Sequence, residues 1–361
     1  MKPTRQLHDL GQSLWLDNIT REILDNGALL HYIKDYSITG LTSNPTIFDE
    51  AIGGGNTYDD GIREKAQAGK SGEALFIELA LEDIRRAADL FRPVFNATHH
   101  VDGWVSMEIS PMLASDAEGS IKAAHLIHQQ ADRPNLLVKI PGTPEGLSAI
   151  EALIFAGIPV NVTLLFSSKQ YLAAAEAYLR GIERRIMAGL DPKVASVASL
   201  FISRWDKMVN EKVPNELHNK LGIVVGGCTY QAYRELLASA RWHKLAAAGA
   251  LPQRLLWAST GTKDPDAPDT LYVEALAAPD TINTMPEKTL HAFIEHGVLK
   301  GTMAATGHEA QALLQRFAQE GIDMDAVAAL LQQEGAQSFM KSWQKLLRRI
   351  ADKSIAVQNT R

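Results

Sequence analysis

The chain predicts a (β/α)8 TIM barrel with extra helices, including a long C-terminal helix, and three observations carry that expectation. Eight short β-favouring runs alternate with amphipathic helical stretches, the order of a closed parallel sheet wrapped by helices. Inside those runs polar residues recur at every second position and gather toward the carboxyl ends, where side chains of one face meet in such a barrel. At 361 residues and 46% hydrophobic, the chain can bury the large core this fold needs. It reads as one domain over residues 1–361, with a helical insertion at about 205–249 and C-terminal helices at about 306–356.

Taken in order, strand one (residues 14–19) offers Trp15 and Asp17 on one face, with Leu14 and Leu16 opposite. Strand two (38–44) offers Gly40, Thr42 and Asn44. The following Gly53-Gly54-Gly55-Asn56 lacks the spacing of a phosphate cradle and reads as a flexible loop. A helix over 72–95 carries Phe76, Ala80, Ile84, Ala87, Ala88 and Phe91 on one stripe. His99 and His100 are adjacent, so they share no helix face as metal ligands would, and read as a surface loop. Strand three (104–110) alternates most sharply: Trp104, Ser106, Glu108 and Ser110 against Val105, Met107 and Ile109. Strand four (136–141) sets Leu137 and Lys139 on one face before the turn Pro141-Gly142-Thr143-Pro144.

Strand five (159–166) sets Asn161 and Thr163 against Val160, Val162 and Leu164, and a helix follows over 167–189. Strand six (196–203) offers Ser199 and Phe201, strand seven (254–260) Trp257 and Ser259, and strand eight (280–285) Thr281 and Asn283. The stretch Leu221-Gly222-Ile223-Val224-Val225-Gly226-Gly227 reads as a buried connection between two helices. Four helical patterns close the chain, over 287–296, 309–320, 325–333 and 337–355. A barrel needs one of them, so the others are expected to pack over or beside it.

Charge and composition exclude several functions. A net charge of -6 with no Lys/Arg-rich stretch leaves no electrostatic footprint for nucleic acid. Cys228 is the single cysteine, which rules out an intrachain disulfide or a cysteine-rich metal cluster. With no signal-like N-terminus and no apolar run of membrane-spanning length, the cytoplasm is expected. Neither a metal nor a cofactor is expected.

The residue that points to chemistry is Lys139. Lysine is rarely buried unpaired, because desolvation penalises its charged form, and an amine driven neutral attacks carbonyls. Two carboxylates, Asp17 and Glu108, share its inward face, and buried charges must be paired or functional.

At this point the residues resemble a family. Gly40-Leu41-Thr42-Ser43-Asn44-Pro45-Thr46, Val105-Ser106-Met107-Glu108, Val138-Lys139-Ile140-Pro141-Gly142-Thr143 and Asn161-Val162-Thr163-Leu164-Leu165-Phe166-Ser167 resemble transaldolase, with Asp17 before them and Ser199, Phe201 and Arg204 after. The resemblance is to the longer branch, some members of which are fused to a glucose-6-phosphate isomerase; that second activity is not expected here. It implies transfer of a dihydroxyacetone unit from fructose 6-phosphate or sedoheptulose 7-phosphate to erythrose 4-phosphate or glyceraldehyde 3-phosphate, in the pentose phosphate pathway, by a monomer or homodimer. Lys139 would form the Schiff base, which supplies the electron sink that carbon-carbon cleavage needs. Glu108 and Thr163 would hold a water that relays protons, since direct contact of Glu108 with the lysine would oppose a neutral amine.

By the same resemblance Asp17 is the acid-base residue, against the alternative of a helix cap. Thr42, Asn44, Ser106, Asn161 and Ser199 would line or bind the three-carbon unit. Arg204 and Ser259 would bind phosphate, with Lys263 as a second cation at the weakest point of the match. Phe201 has no hydroxyl with which to protonate the intermediate, which favours transfer over release. A fructose 6-phosphate aldolase and a silent sugar-phosphate-binding protein are the competing readings.

Overall fold

The computed structural model describes residues 1–303 and 308–359. Eight parallel strands close into a barrel in chain order: β1 (Ser13–Leu16), β2 (Ile38–Thr42), β3 (Trp104–Glu108), β4 (Leu136–Pro141), β5 (Val160–Leu165), β6 (Ser196–Phe201), β7 (Gln253–Ala258) and β8 (Ile282–Met285). Every strand is buried along its length except at Arg254 of β7. Both faces are therefore covered, as a parallel sheet requires. The inward row begins where Trp15 pairs with Gly40: a Cβ on Gly40 would lie 2.4 Å from the Trp15 indole. Only glycine leaves room for that ring.

Register carries the inward face round the barrel. Thr42 pairs with Ser106, Glu108 with Lys139, Lys139 with Asn161, and Pro141 with Thr163. Parallel partners point to the same side, so the polar positions of β2 to β5 form one continuous patch.

Register also corrects the reading of β7 and β8. Ser199 pairs with Leu256 and Phe201 with Ala258, so Trp257 belongs to the outer face, where it lies near Gly226 of the insertion. Trp15 pairs with Thr284 and Leu14 with Asn283, which turns Thr284 inward and Asn283 outward. On β8 polar residues stand on both parities, and on β7 alternation misled because Ser259 adopts a left-handed φ of 57°. Counting by twos across such a residue reverses the face.

The long helix Gly72–Ala97 buries the expected stripe and continues through Pro93. Other elements differ from expectation. The stretch 221–227 opens a helix, Leu221–Ala238, rather than a connection. Its glycines serve close packing, since a Cβ on Gly222 would lie 2.7 Å from the Ile202 carbonyl and one on Gly226 2.8 Å from Leu276. Gly53 and Gly54 end the helix Pro45–Gly54 instead of forming a loop. The patterns over 325–333 and 337–355 join into one helix, Met324–Asn359. At 36 residues it extends over about 54 Å. Gly335, which lies between the two patterns, is a contact point: a Cβ there would lie 2.9 Å from Leu164 and 3.2 Å from Arg204. Residues 306 and 307 of the expected C-terminal region lie outside the described residues.

The insertion consists of Ser203–Val209, two short 3-10 turns, Leu221–Ala238 and Ala240–Ala247. The helix Leu221–Ala238 packs on Ser168–Met187 and on β7. The terminal helix lies across the carboxyl mouth, touching the helices Pro45–Gly54, Asp59–Gln67 and Gly72–Ala97, and also β5.

Candidate active site

Lys139 projects from β4 into the mouth, 7% exposed, with its Nζ 2.5 Å from Glu108 Oε1. The contact is an ion pair rather than an aligned hydrogen bond, because Oε1 has no partner of hydrogen-bonding geometry. Nζ also donates to the Ser43 carbonyl at 3.2 Å. The expectation that Glu108 acts through a water without touching the lysine thus gives way to direct contact. The reason lies in the register: the two residues are neighbours on adjacent strands, pointing the same way. Burial raises the Glu108 pKa, opposed chiefly by the charge of Lys139, while Asp17 raises it further. The Thr163 hydroxyl beside them is buried without a partner.

Asp17 follows β1 and accepts a hydrogen bond from Thr42 Oγ1 at 3.0 Å. It caps no helix; Thr20 does, accepting from the Ile23 amide at 3.3 Å. Burial raises the Asp17 pKa, with Lys139, Thr42 and Lys263 opposing. A carboxylate so placed accepts a proton more readily than one in water. Asn44 is a helix cap, accepting from the Thr46 amide at 3.0 Å, and also lines the cavity.

These groups surround a cavity of about 180 Å3 lined by Asp17, Thr42, Asn44, Lys139, Thr163, Ser199, Phe201, Arg204, Ser259, Lys263 and Thr284, among others. Glu108 lies just outside it, facing a small adjoining space that shares Lys139, Thr163 and Phe339. Ser106 and Asn161 lie beneath: Ser199 Oγ donates to Asn161 Oδ1 at 2.7 Å, and Asn161 Nδ2 donates to Ser106 at 3.0 Å. In this arrangement both support Ser199 from the barrel layer and do not line the cavity.

The other end of the cavity is cationic. Arg204 has no ion pair or hydrogen bond to another described residue; its guanidinium lies over the ring of Phe201, 5.2 Å from the centroid. Burial lowers its pKa, with the charge of Glu334 opposing. Lys263 lies close enough to feel Asp17, Arg204 and Lys207, and burial lowers its pKa too. Ser259, in its left-handed conformation, shares a 2.9 Å hydrogen bond with Ser203.

Three residues at the site escaped sequence reasoning. Thr284 lies 3.3 Å from Thr42, the two hydroxyls sharing a hydrogen bond. Polar residues on both parities of β8 hid it. Ser43 contributes its carbonyl, which no side-chain pattern reveals. Phe339 arrives from the terminal helix, almost 200 residues from its target, with no local signal.

Comparison with known proteins agrees with this geometry. Residues 14–350 match the family model described as Transaldolase/Fructose-6-phosphate aldolase. A transaldolase of Thermobifida fusca is 45% identical over 98% of this chain and 99% of its own length. One from Thiobacillus denitrificans is 45% identical over 97% and 100%, and one from Parafrankia 44% over 96% of each.

Proposed function

The chain belongs to the transaldolase and fructose-6-phosphate aldolase family, and from that premise we propose the residues that carry a transaldolase reaction in it. Its activity is transfer of a dihydroxyacetone unit between sugar phosphates through a Schiff base. The Lys139 amine attacks the C2 carbonyl of a ketose phosphate; the carbinolamine then loses its hydroxyl as water, leaving a protonated imine. Glu108, 2.5 Å from that amine, takes the ammonium proton before attack and returns one to the departing hydroxyl. Thr163 assists from the same side.

The iminium then draws electrons from the C3–C4 bond while Asp17 removes the C4 hydroxyl proton, so an aldose leaves and an enamine stays on Lys139. An acceptor aldose enters, its carbonyl is attacked by the enamine, and Asp17 returns the proton. Hydrolysis of the new imine frees the longer ketose. Arg204, Lys263 and Ser259 bind phosphate, with Asn44 and Ser199 on the hydroxyls of the three-carbon unit. The pentose phosphate pathway and a cytoplasmic setting go with this reading.

The observation that supports it best is the pairing of Lys139 with Glu108 beside a cavity whose opposite end presents an Arg204 with no ion pair to another described residue. Treating the protein with fructose 6-phosphate and borohydride is expected to add a reduced three-carbon adduct to Lys139 alone. Labelling at another lysine, or none, would remove Lys139 from the mechanism. Without borohydride, fructose 6-phosphate alone is expected to release little free dihydroxyacetone, whereas added erythrose 4-phosphate is converted to sedoheptulose 7-phosphate as glyceraldehyde 3-phosphate appears; fast release of dihydroxyacetone without acceptor would assign aldolase activity instead.

A further inference from the structure

The Arg204 guanidinium is partly buried and feels the charge of Glu334, yet among the described residues it makes no ion pair, and its contacts are aromatic. Phe201 lies below it, 5.2 Å from the guanidinium carbon to the ring centroid, and Phe339 approaches at 5.9 Å. The two rings meet edge-on, with centroids 6.4 Å apart at 75°. Phe339 also reaches Lys139, whose Nζ lies 6.0 Å from its centroid. One ring from the terminal helix thus borders both the amine and the cation at the far end of the cavity.

That helix is fastened on either side of Phe339. Before it, Gln332 Nε2 donates to the carbonyls of Gly142 and Leu164, each at 2.9 Å, and Gly335 lies against Arg204. After it, Ser342 accepts from Thr46 Oγ1 at 3.0 Å and Trp343 packs edge-on against Phe76 with centroids 5.0 Å apart. Arg349 and Lys345 pair with buried Asp49 at 2.5 and 2.7 Å. The ring is therefore held at a fixed place over the mouth.

We propose that Phe339 is a positioning residue: with Phe201 it clamps the Arg204 guanidinium in the corner of two rings set steeply to each other, leaving its N–H groups free for the phosphate of the ketose. A carboxylate in that place would hold the arginine equally well, but would occupy the donors and repel the ligand. Aromatic faces attract the cation while leaving its edge open. The proposal rests on the reading of Arg204 as the phosphate ligand.

Phe339→Ala, Phe339→Leu and Phe339→Tyr are compared with Arg204→Ala, using fructose 6-phosphate and unphosphorylated fructose as donors and inorganic phosphate as inhibitor. A cation–π contact in a desolvated setting corresponds to a change of between about threefold and thirtyfold. Phe339→Ala is expected to raise KM for fructose 6-phosphate and Ki for inorganic phosphate within that range. Its kcat should change less, and its loss of kcat/KM on fructose should be clearly smaller than its loss on fructose 6-phosphate. Phe339→Leu keeps the apolar bulk without the ring face and should show the same selective loss if Phe339→Ala does not fold. Phe339→Tyr should restore phosphate affinity.

Equal losses on both sugars, or a leucine variant as good as phenylalanine, would reduce Phe339 to a packing residue. If Arg204→Ala discriminates between the sugars and Phe339→Ala and Phe339→Leu do not, the clamp is wrong and the phosphate reading stands. If Arg204→Ala does not discriminate, the phosphate reading itself fails.

Discussion

Lys139 and Asp17 divide the chemistry between them, and their surroundings suggest that the two halves can be separated. The lysine has its own proton partner in Glu108, so imine formation does not require Asp17. Asp17, held by Thr42, is needed only when the carbon-carbon bond breaks. Asp17→Ala is therefore expected to trap intact fructose 6-phosphate on Lys139 after borohydride reduction, while turnover falls by about 10² or more. Near-normal turnover would leave Asp17 without a role, since Thr20 already caps the helix that follows. At this scale, sequence reasoning succeeded where alternation was clean. Ser106, Glu108 and Lys139 sit on strands whose other face is wholly apolar, so their direction could be read directly. It failed at β7, where a left-handed Ser259 follows the strand, and at β8, where polar residues stand on both parities. The direct contact of Lys139 with Glu108 was also missed, because pairing register is a property of two strands and neither one encodes it alone.

Among the elements, the insertion helix Leu221–Ala238 is tied to the barrel by a buried carboxylate. Asp206 is 1% exposed and accepts from Leu221 and Gly222 amides at 2.8 and 3.2 Å and from the Tyr272 hydroxyl at 2.7 Å. Burial outweighs those donors and pushes its pKa up to about 6. The folded chain thus keeps this proton up to about pH 6, whereas the unfolded chain releases it near the ordinary value of 3.8. The contribution to stability is complete below about pH 4 and lost as pH rises through 6. A shift from 3.8 to about 6 corresponds to a change on the order of 3 kcal/mol. Denaturant unfolding of the unaltered chain and of Asp206→Asn between pH 4 and 7 is expected to show the former losing stability relative to the latter by that order. A difference that stays constant across this range would mean that Asp206 does not titrate there. The insertion was legible as a helical excursion, but the stretch 221–227 was not legible as helix. Its valines and glycines carry low helix propensity, and what overrides it is tertiary: the Asp206 cap and the close approach of Gly222 and Gly226 to their neighbours.

Across the whole molecule the barrel was readable because strand and helix alternate eight times over, with inward polarity agreeing on the first six strands. The terminal helix was readable in existence but not in task, since nothing within it names the mouth it crosses. The distribution of charge matters at the same scale. The chain carries a net charge of -6, which repels a sugar phosphate at long range, whereas Arg204, Lys263 and neighbouring Lys207 concentrate positive charge at one end of the cavity. Salt weakens both fields but not equally. With a Debye length of about 10 Å at 0.1 M, the diffuse repulsion is already largely screened there, while further salt continues to weaken the attraction of the cations. From about 0.1 M sodium chloride upward, kcat/KM for fructose 6-phosphate is therefore expected to fall several-fold by about 1 M. The same quantity for unphosphorylated fructose should stay nearly level, and Lys263→Ala should flatten the phosphorylated curve. A kcat/KM for fructose 6-phosphate that rises throughout this range would show that the net negative field outweighs the cationic end of the cavity, and that phosphate is bound mainly by neutral donors such as Ser259.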